Sequence, residues 1–332
     1  MAEKDYLAVW FRARRRFGID DTIYWGWYDP ADRSIDWQAW SHADGDGLSA
    51  LALQMRKIGY PSFPLPVCGE TSVPGWRDII KARKKYPIEE SAKTVNWKQT
   101  YDPTSGKKFE PEITVFSKEE NDLIKACSAA RRVSPGNLIF AALGRVVSRE
   151  LIEGDDPYYW FFPVNVRGAT GIKTELSNQV SGVAMRVGPE ETAEDWQLQM
   201  RQRFKAKEHW MTWKLVRISG ALGERIVAWY YRKTSSKIFY AGNCSHLGVW
   251  PLPHADNPPR ADHNKVLAGA APGTMNYPVS ASMIEWYGDL ALTIKLHPYI
   301  CNDQALVRKI TDAWREEIMN DLHAEKAQAK AG

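Results

Sequence analysis

The chain has 332 residues, 44% of them hydrophobic and 25% charged, with 44 basic and 40 acidic side chains and a net charge of +4. Such a composition builds one or two packed cores and excludes collagen-like, low-complexity and disordered classes. The near balance of charge gives no electrostatic reason for a nucleic-acid partner, and no apolar run approaches the ~18 residues of a membrane span.

Met1 to Asp5 leads into a short apolar patch and then Arg12, Arg14, Arg15 and Arg16. A secretory signal places its basic end before its apolar run, so this order predicts a cytoplasmic protein. Thr22 to Tyr28 is β-branched and aromatic, Asp29-Pro30-Ala31-Asp32 is turn chemistry, and Ser34 to Ser41 reads as the returning strand. After Gly47 the period changes, with Leu48, Leu51, Met55 and Ile58 at helical spacing. Pro61, Pro64, Pro66 and Pro74 then break the chain, Lys81 to Lys85 is compatible with a helix, and the stretch 87–111 reads as a crossover between halves.

The second half carries sharper signals. Glu112 to Phe116 alternates as a strand. Ser117 with Glu120 makes a capping box that opens a helix to about Arg131, and Ser134-Pro135 opens another to about Glu150. Tyr158 to Val164 and Gln179 to Val187 read as strands, 192–232 as largely helical, and Leu290 to Leu296 as a half-buried strand. Asp303 caps a last helix that turns Leu306, Ile310, Trp314 and Ile318 inward, and the Ala/Lys-rich tail from Ala324 is expected to fray. Irregular alternation of strands and helices implies an α/β (α+β) chain with mixed sheets covered by helices. The expected division is an N-terminal half over 1–95, a C-terminal half over 96–325 and a tail over 326–332.

The four cysteines, Cys68, Cys127, Cys244 and Cys301, form no C-x-x-C, so neither a zinc ribbon nor a disulfide framework is expected. His209, His246, His254, His263, His297 and His323 fall at no metal-ligand spacing, and no metal site is expected. Phosphate-loop, dinucleotide and nucleophile-elbow patterns are absent. The 15 tryptophans suit thick cores and apolar channels.

Chemistry concentrates where the first hairpin meets its helix, at Trp40-Ser41-His42-Ala43-Asp44-Gly45-Asp46-Gly47, an H-x-x-x-D-G. Gly45 and Gly47 disfavour a helix here, so His42 and Asp46 are placed on a loop. In a regular pleat Asp36, Gln38, Trp40 and His42 share one face, which makes Gln38 and Trp40 candidates to line a channel beside His42. Two readings fit these residues alone, a polar pair at a strand end or a base beside a cleft.

The sequence resembles the chloramphenicol-acetyltransferase-like superfamily, which includes plant BAHD acyltransferases, wax-ester synthases and condensation domains of nonribosomal peptide synthetases. The resemblance rests on the H-x-x-x-D-G and on two further segments: Phe162-Pro163-Val164-Asn165-Val166-Arg167-Gly168 followed by Leu176-Ser177-Asn178-Gln179, and Cys244-Ser245-His246-Leu247-Gly248. It implies two sheet-and-helix halves, the first of them shortened. It also implies acyl transfer from a coenzyme A or phosphopantetheine-linked thioester to a hydroxyl or amine, with no resident cofactor. His42 is then the general base and Ser245 the candidate oxyanion donor. Asp46 pairs with Arg167 by two parallel hydrogen bonds, Gly47 permits the turn, and Asn178 lines the channel. Ser41 stands where many condensation domains have a second His, His246 where Asn is common, and the plant D-F-G-W-G is absent. The short first half, rich in Trp10, Trp25, Trp27, Trp37, Trp40 and Trp76, predicts an apolar patch covered in a homo-oligomer or by a partner subunit. The basic runs Arg12–Arg16 and Lys81–Lys85 read as solvated faces, or as docking sites for a coenzyme A phosphate or an acidic carrier protein. A non-catalytic relative that only binds a partner is the alternative class.

Overall fold

The computed structural model describes residues 4–57, 65–88, 95–103, 108–235, 237–250 and 264–331. Strands β1 (Thr22–Asp29) and β2 (Ser34–Ser41) form the expected hairpin. The other edge of β1 is taken by β7 (Val266–Ala270), far along the chain, which completes a three-stranded antiparallel sheet in the order β2-β1-β7. The larger sheet has six strands: β3 (Glu112–Phe116), β9 (Asp289–Leu296), β8 (Val279–Trp286), β6 (Gly242–Trp250), β4 (Tyr158–Asn165) and β5 (Val180–Val187), in that spatial order. It is mixed, because β4–β6 and β6–β8 run parallel while the other pairs are antiparallel.

Helices form where the capping chemistry points. At α4 (Lys118–Ala130) the Ser117 hydroxyl accepts from the Glu120 N–H at 3.3 Å, and the Glu120 carboxylate accepts from the Ser117 N–H at 2.9 Å. At α5 (Pro135–Leu151) the Ser134 hydroxyl accepts from Asn137 at 3.2 Å and proline fills the first turn. This helix is buried on nearly every side, and α9 (Gln304–Ala331) packs on it, with Trp314 Nε1 donating to the Ile139 carbonyl at 2.8 Å. The inward stripe of α9 is Val307, Ile310, Trp314 and Ile318, with Leu306 only half-buried, and the helix extends to Ala331, into the tail. The main core lies between the six-stranded sheet and these helices. A second core lies under the small sheet and α2 (Gly47–Lys57), where Trp25, Leu51 and Met55 meet Trp250, Ile284 and Trp286 of the large sheet.

Two expectations change. Of the arginines after the N-terminal patch, Arg12, Arg15 and Arg16 are exposed as a solvated face would have them, but Arg14, on the helix α1 (Leu7–Arg15), is not. Arg14 is only 6% exposed and donates to Asp21 at 2.7 Å and to Tyr231 at 3.2 Å. Arg12 and Arg16 pair with Glu224, and Arg15 bonds Ser41. The tryptophans expected to form an exposed patch are taken into the protein: Trp25 is buried, while Trp27, Trp37 and Trp40 pack on the second core. Trp76 at the start of α3 (Trp76–Lys85) is exposed, as are Leu215 and Ile218 on α7 (Glu208–Ala221) and Ile226 and Trp229 on α8 (Glu224–Thr234). Lys81, Lys84 and Lys85 are exposed on α3. Met1 to Glu3, Ile58, Pro61, Pro64, His254, His263 and parts of the 87–111 crossover lie outside the described residues.

Gly269 of β7 faces Trp25 of β1 in register, and a Cβ there would lie 2.6 Å from the indole and 2.8 Å from Leu247. Gly269→Ala is therefore expected to destabilise by ~1–3 kcal/mol through overpacking, read as a lower urea midpoint at unchanged slope.

Candidate active site

The loop after β2 is built around Asp46. Its Oδ1 accepts from the Ser49 N–H at 3.1 Å, capping α2, and from Arg167 Nη2 at 2.7 Å. Its Oδ2 accepts from the Gln179 N–H at 2.9 Å. Arg167 lies just past β4, and the same Nη2 also donates to Ser49 Oγ at 2.9 Å and to the Ser177 carbonyl at 3.0 Å. Both partners are buried, Asp46 at 4% and Arg167 at 5% exposure. The expected two-pronged pairing is not formed: one guanidinium nitrogen does all the bonding to the carboxylate, and Nε has no partner among the described residues. The physical reason is competition, since Gln179 and Ser49 already occupy the other acceptor directions of Asp46.

His42 follows the last residue of β2, and its ring is held by Asn178 rather than by Asp46. Asn178 Nδ2 donates to Asp5 Oδ2 at 3.1 Å and to the His42 carbonyl at 3.0 Å. Its Oδ1 must then be the acceptor that faces His42 Nδ1 at 2.8 Å. Nδ1 carries the proton, and Nε2 is left as the basic nitrogen, with no partner among the described residues. Phe11 of α1 stacks on the ring with centroids 3.9 Å apart and planes 13° off parallel. Burial pushes the imidazole below its ordinary value, while the Asp21 and Asp46 charges and the Asn178 bond pull the other way. The net shift favours the neutral ring.

Both lobes enclose a cavity of about 790 Å³, lined by His42, Asp46, Gly47, Arg167 and Ser245 among others. Ser245 is half-buried on β6, in register with Ser282 of β8. His246 also lines the cavity, with Nδ1 accepting from the Gly248 N–H at 3.1 Å. Gln38, Trp40 and Asn178 are not lining residues. Gln38 accepts from Lys57 Nζ at 3.3 Å on the exposed side, and Trp40 Nε1 is taken by the Gly45 carbonyl at 3.1 Å, bracing the loop. β2 ends at Ser41, and His42 beyond it lines the cavity whereas Gln38 does not. Asn178 stands behind the ring. Asp5 and Phe11, 37 and 31 positions upstream of His42, reach it only through tertiary packing of α1. At the start of α1, Asp5 Oδ1 also accepts from the Ala8 N–H at 3.0 Å.

Among the described residues, no cluster of three His, Cys, Asp or Glu side chains could hold a metal ion, and no helix is long and apolar enough to cross a membrane.

No protein-family model and no curated protein matches the chain. Solved structures do. The nonribosomal peptide synthetase FmoA3, bound to alpha-methyl-L-serine-AMP, superposes with a TM-score of 0.56 at 14% identity, over 87% of this chain and 32% of that one. The condensation domain of the Monacolin K polyketide synthase MokA gives 0.52 at 12%, over 87% and 68%. The chain shares the fold of that condensation domain. The EpoB cyclization-docking bidomain from Sorangium cellulosum gives 0.52 at 12%, over 86% and 59%. The chain thus spans less than two thirds of the FmoA3 and EpoB chains. In this condensation-type fold the cavity falls between the lobes, with His42 on a loop of the smaller one.

Removing either charge strands the other in the interior. Asp46→Ala and Arg167→Ala are each expected to destabilise by about 3–5 kcal/mol. The double variant should fall well short of the sum in urea unfolding, because the partners share one network.

Proposed function

We propose that this chain is an acyltransferase that moves an acyl group from a coenzyme A or carrier-protein thioester to a hydroxyl or amine. The observation that carries the reading is the fixed tautomer of His42, whose Nδ1 is committed to Asn178 and whose basic Nε2 belongs to a ring on the cavity wall. An alcohol or amine loses its proton to Nε2 as it attacks the thioester carbon. The tetrahedral intermediate carries an oxyanion, for which the Ser245 hydroxyl on the facing lobe is the proposed donor. Collapse breaks the C–S bond, and the departing thiolate recovers the proton from Nε2. Asp46, Gly47 and Arg167 hold the loop and take no proton. The exposed lysines of α3 are the proposed contact for an acidic carrier protein.

A panel of acyl thioesters with alcohol and amine acceptors, followed by thiol release, tests this. His42→Ala is expected to lose at least about 100-fold in turnover while its melting temperature holds. Because His42 lies below its ordinary value of 6.5, the acid limb of wild-type turnover should be centred below about 6.5. A limb centred above 7 would contradict the assignment. Ser245→Ala is expected to lower turnover by roughly 10²–10³ with little change in substrate affinity.

A further inference from the structure

Phe161 of β4, Tyr240 just before β6 and Tyr277 just before β8 share one stretch of cavity wall. Tyr240 and Tyr277 stack with centroids 5.5 Å apart and planes within 4°. Phe161 leans on both at 5.6 Å. All three rings are half-buried. The place of Phe161 depends on a missing side chain, because a Cβ on Gly182 of β5 would lie 2.1 Å from its ring.

The charges of the same cavity are already matched. Among the described residues, its cations are Arg14, Arg167 and Arg203, and each holds a carboxylate at 2.7 Å: Asp21, Asp46 and Glu208. Arg203 also lies over the Tyr159 ring at 5.6 Å. A phosphate or carboxylate entering here would have to break an existing pair. The two phenols are uncharged as well, since burial pushes Tyr240 up to about 12 and raises Tyr277 further. Their hydroxyls are neutral donors.

We propose that the Phe161–Tyr240–Tyr277 wall is an aryl subsite that takes an uncharged aromatic group carried by one of the two substrates. This deepens the acyl-transfer reading and rests on it for the word substrate. Ring faces and edges fixed in a cluster favour an aromatic guest over a saturated one of similar size. The neutralised arginines disfavour an anionic guest.

Calorimetry on the full chain tests the proposal with inert probes. Thioethers of N-acetylcysteamine bearing benzyl, cyclohexylmethyl or carboxymethyl groups report on the acyl side, and benzyl alcohol against cyclohexylmethanol on the acceptor side. The aryl member of one series is expected to bind at least about fivefold tighter than its saturated counterpart, and carboxymethyl weakest. Phe161→Ala and Tyr277→Ala should each erase the aryl preference, and Tyr277→Phe should keep it. Where thermal melting shows Phe161→Ala to be unfolded, Phe161→Leu replaces it. Equal binding of aryl and saturated probes in both series overturns the subsite, as does no binding, or an aryl preference that survives both alanine variants. These probes do not react, so the acyl-transfer reading fails separately, by thiol release from the S-benzoyl thioester that is no faster in wild type than in His42→Ala.

Discussion

A single buried ion pair sets the geometry on which the site depends. Asp46 and Arg167 come from opposite lobes, and neither is tolerable in the interior alone. Ser49, Ser177 and Gln179 satisfy most of the remaining polar groups, so one network joins the start of α2, the end of β4 and the start of β5. The loop bearing His42 leaves β2 at one end and enters this network at the other. Its freedom is removed at both ends, and a base can be held in place without any bond to the carboxylate of its own motif.

Choosing an amide as the partner of His42 has a chemical meaning. A carboxylate on Nδ1 would fix the ring equally well and raise its basicity, holding it protonated near neutrality. Asn178 fixes the tautomer without adding charge, and burial beneath Phe11 lowers the ring's proton affinity further. Asp5 completes the arrangement by accepting from both amide nitrogens of Asn178, backbone and side chain. The orientation of the base thus begins on α1, a helix that carries none of the motif.

The legible elements are those whose signal is local. The hairpin β1–β2 announces itself by its turn, and α4 and α5 by their caps. β8 is buried along its whole length and so shows no alternation to read. β7 is five small or aliphatic residues whose only reason to be a strand is the waiting edge of β1. α1 hides because Arg14 looks like a surface residue until Asp21, Tyr231 and Asn276 surround it. In the site, His42, Asp46 and Arg167 were visible through the pattern and the resemblance. Asp5 and Phe11 were not, because their proximity exists only after α1 docks.

The exchange of β7 into the small sheet has a consequence for dissecting the molecule. The two lobes are not separable modules joined by a linker, because the smaller one borrows its third strand from residues 266–270 of the larger. A fragment ending near residue 95 would present β1 with one edge unpaired, beside a row of aromatic side chains stripped of Trp250 and Trp286. Such an edge invites pairing with another chain. Folding of the His42 lobe is therefore tied to the late arrival of a distant strand, and the site is assembled only once nearly the whole polypeptide is present.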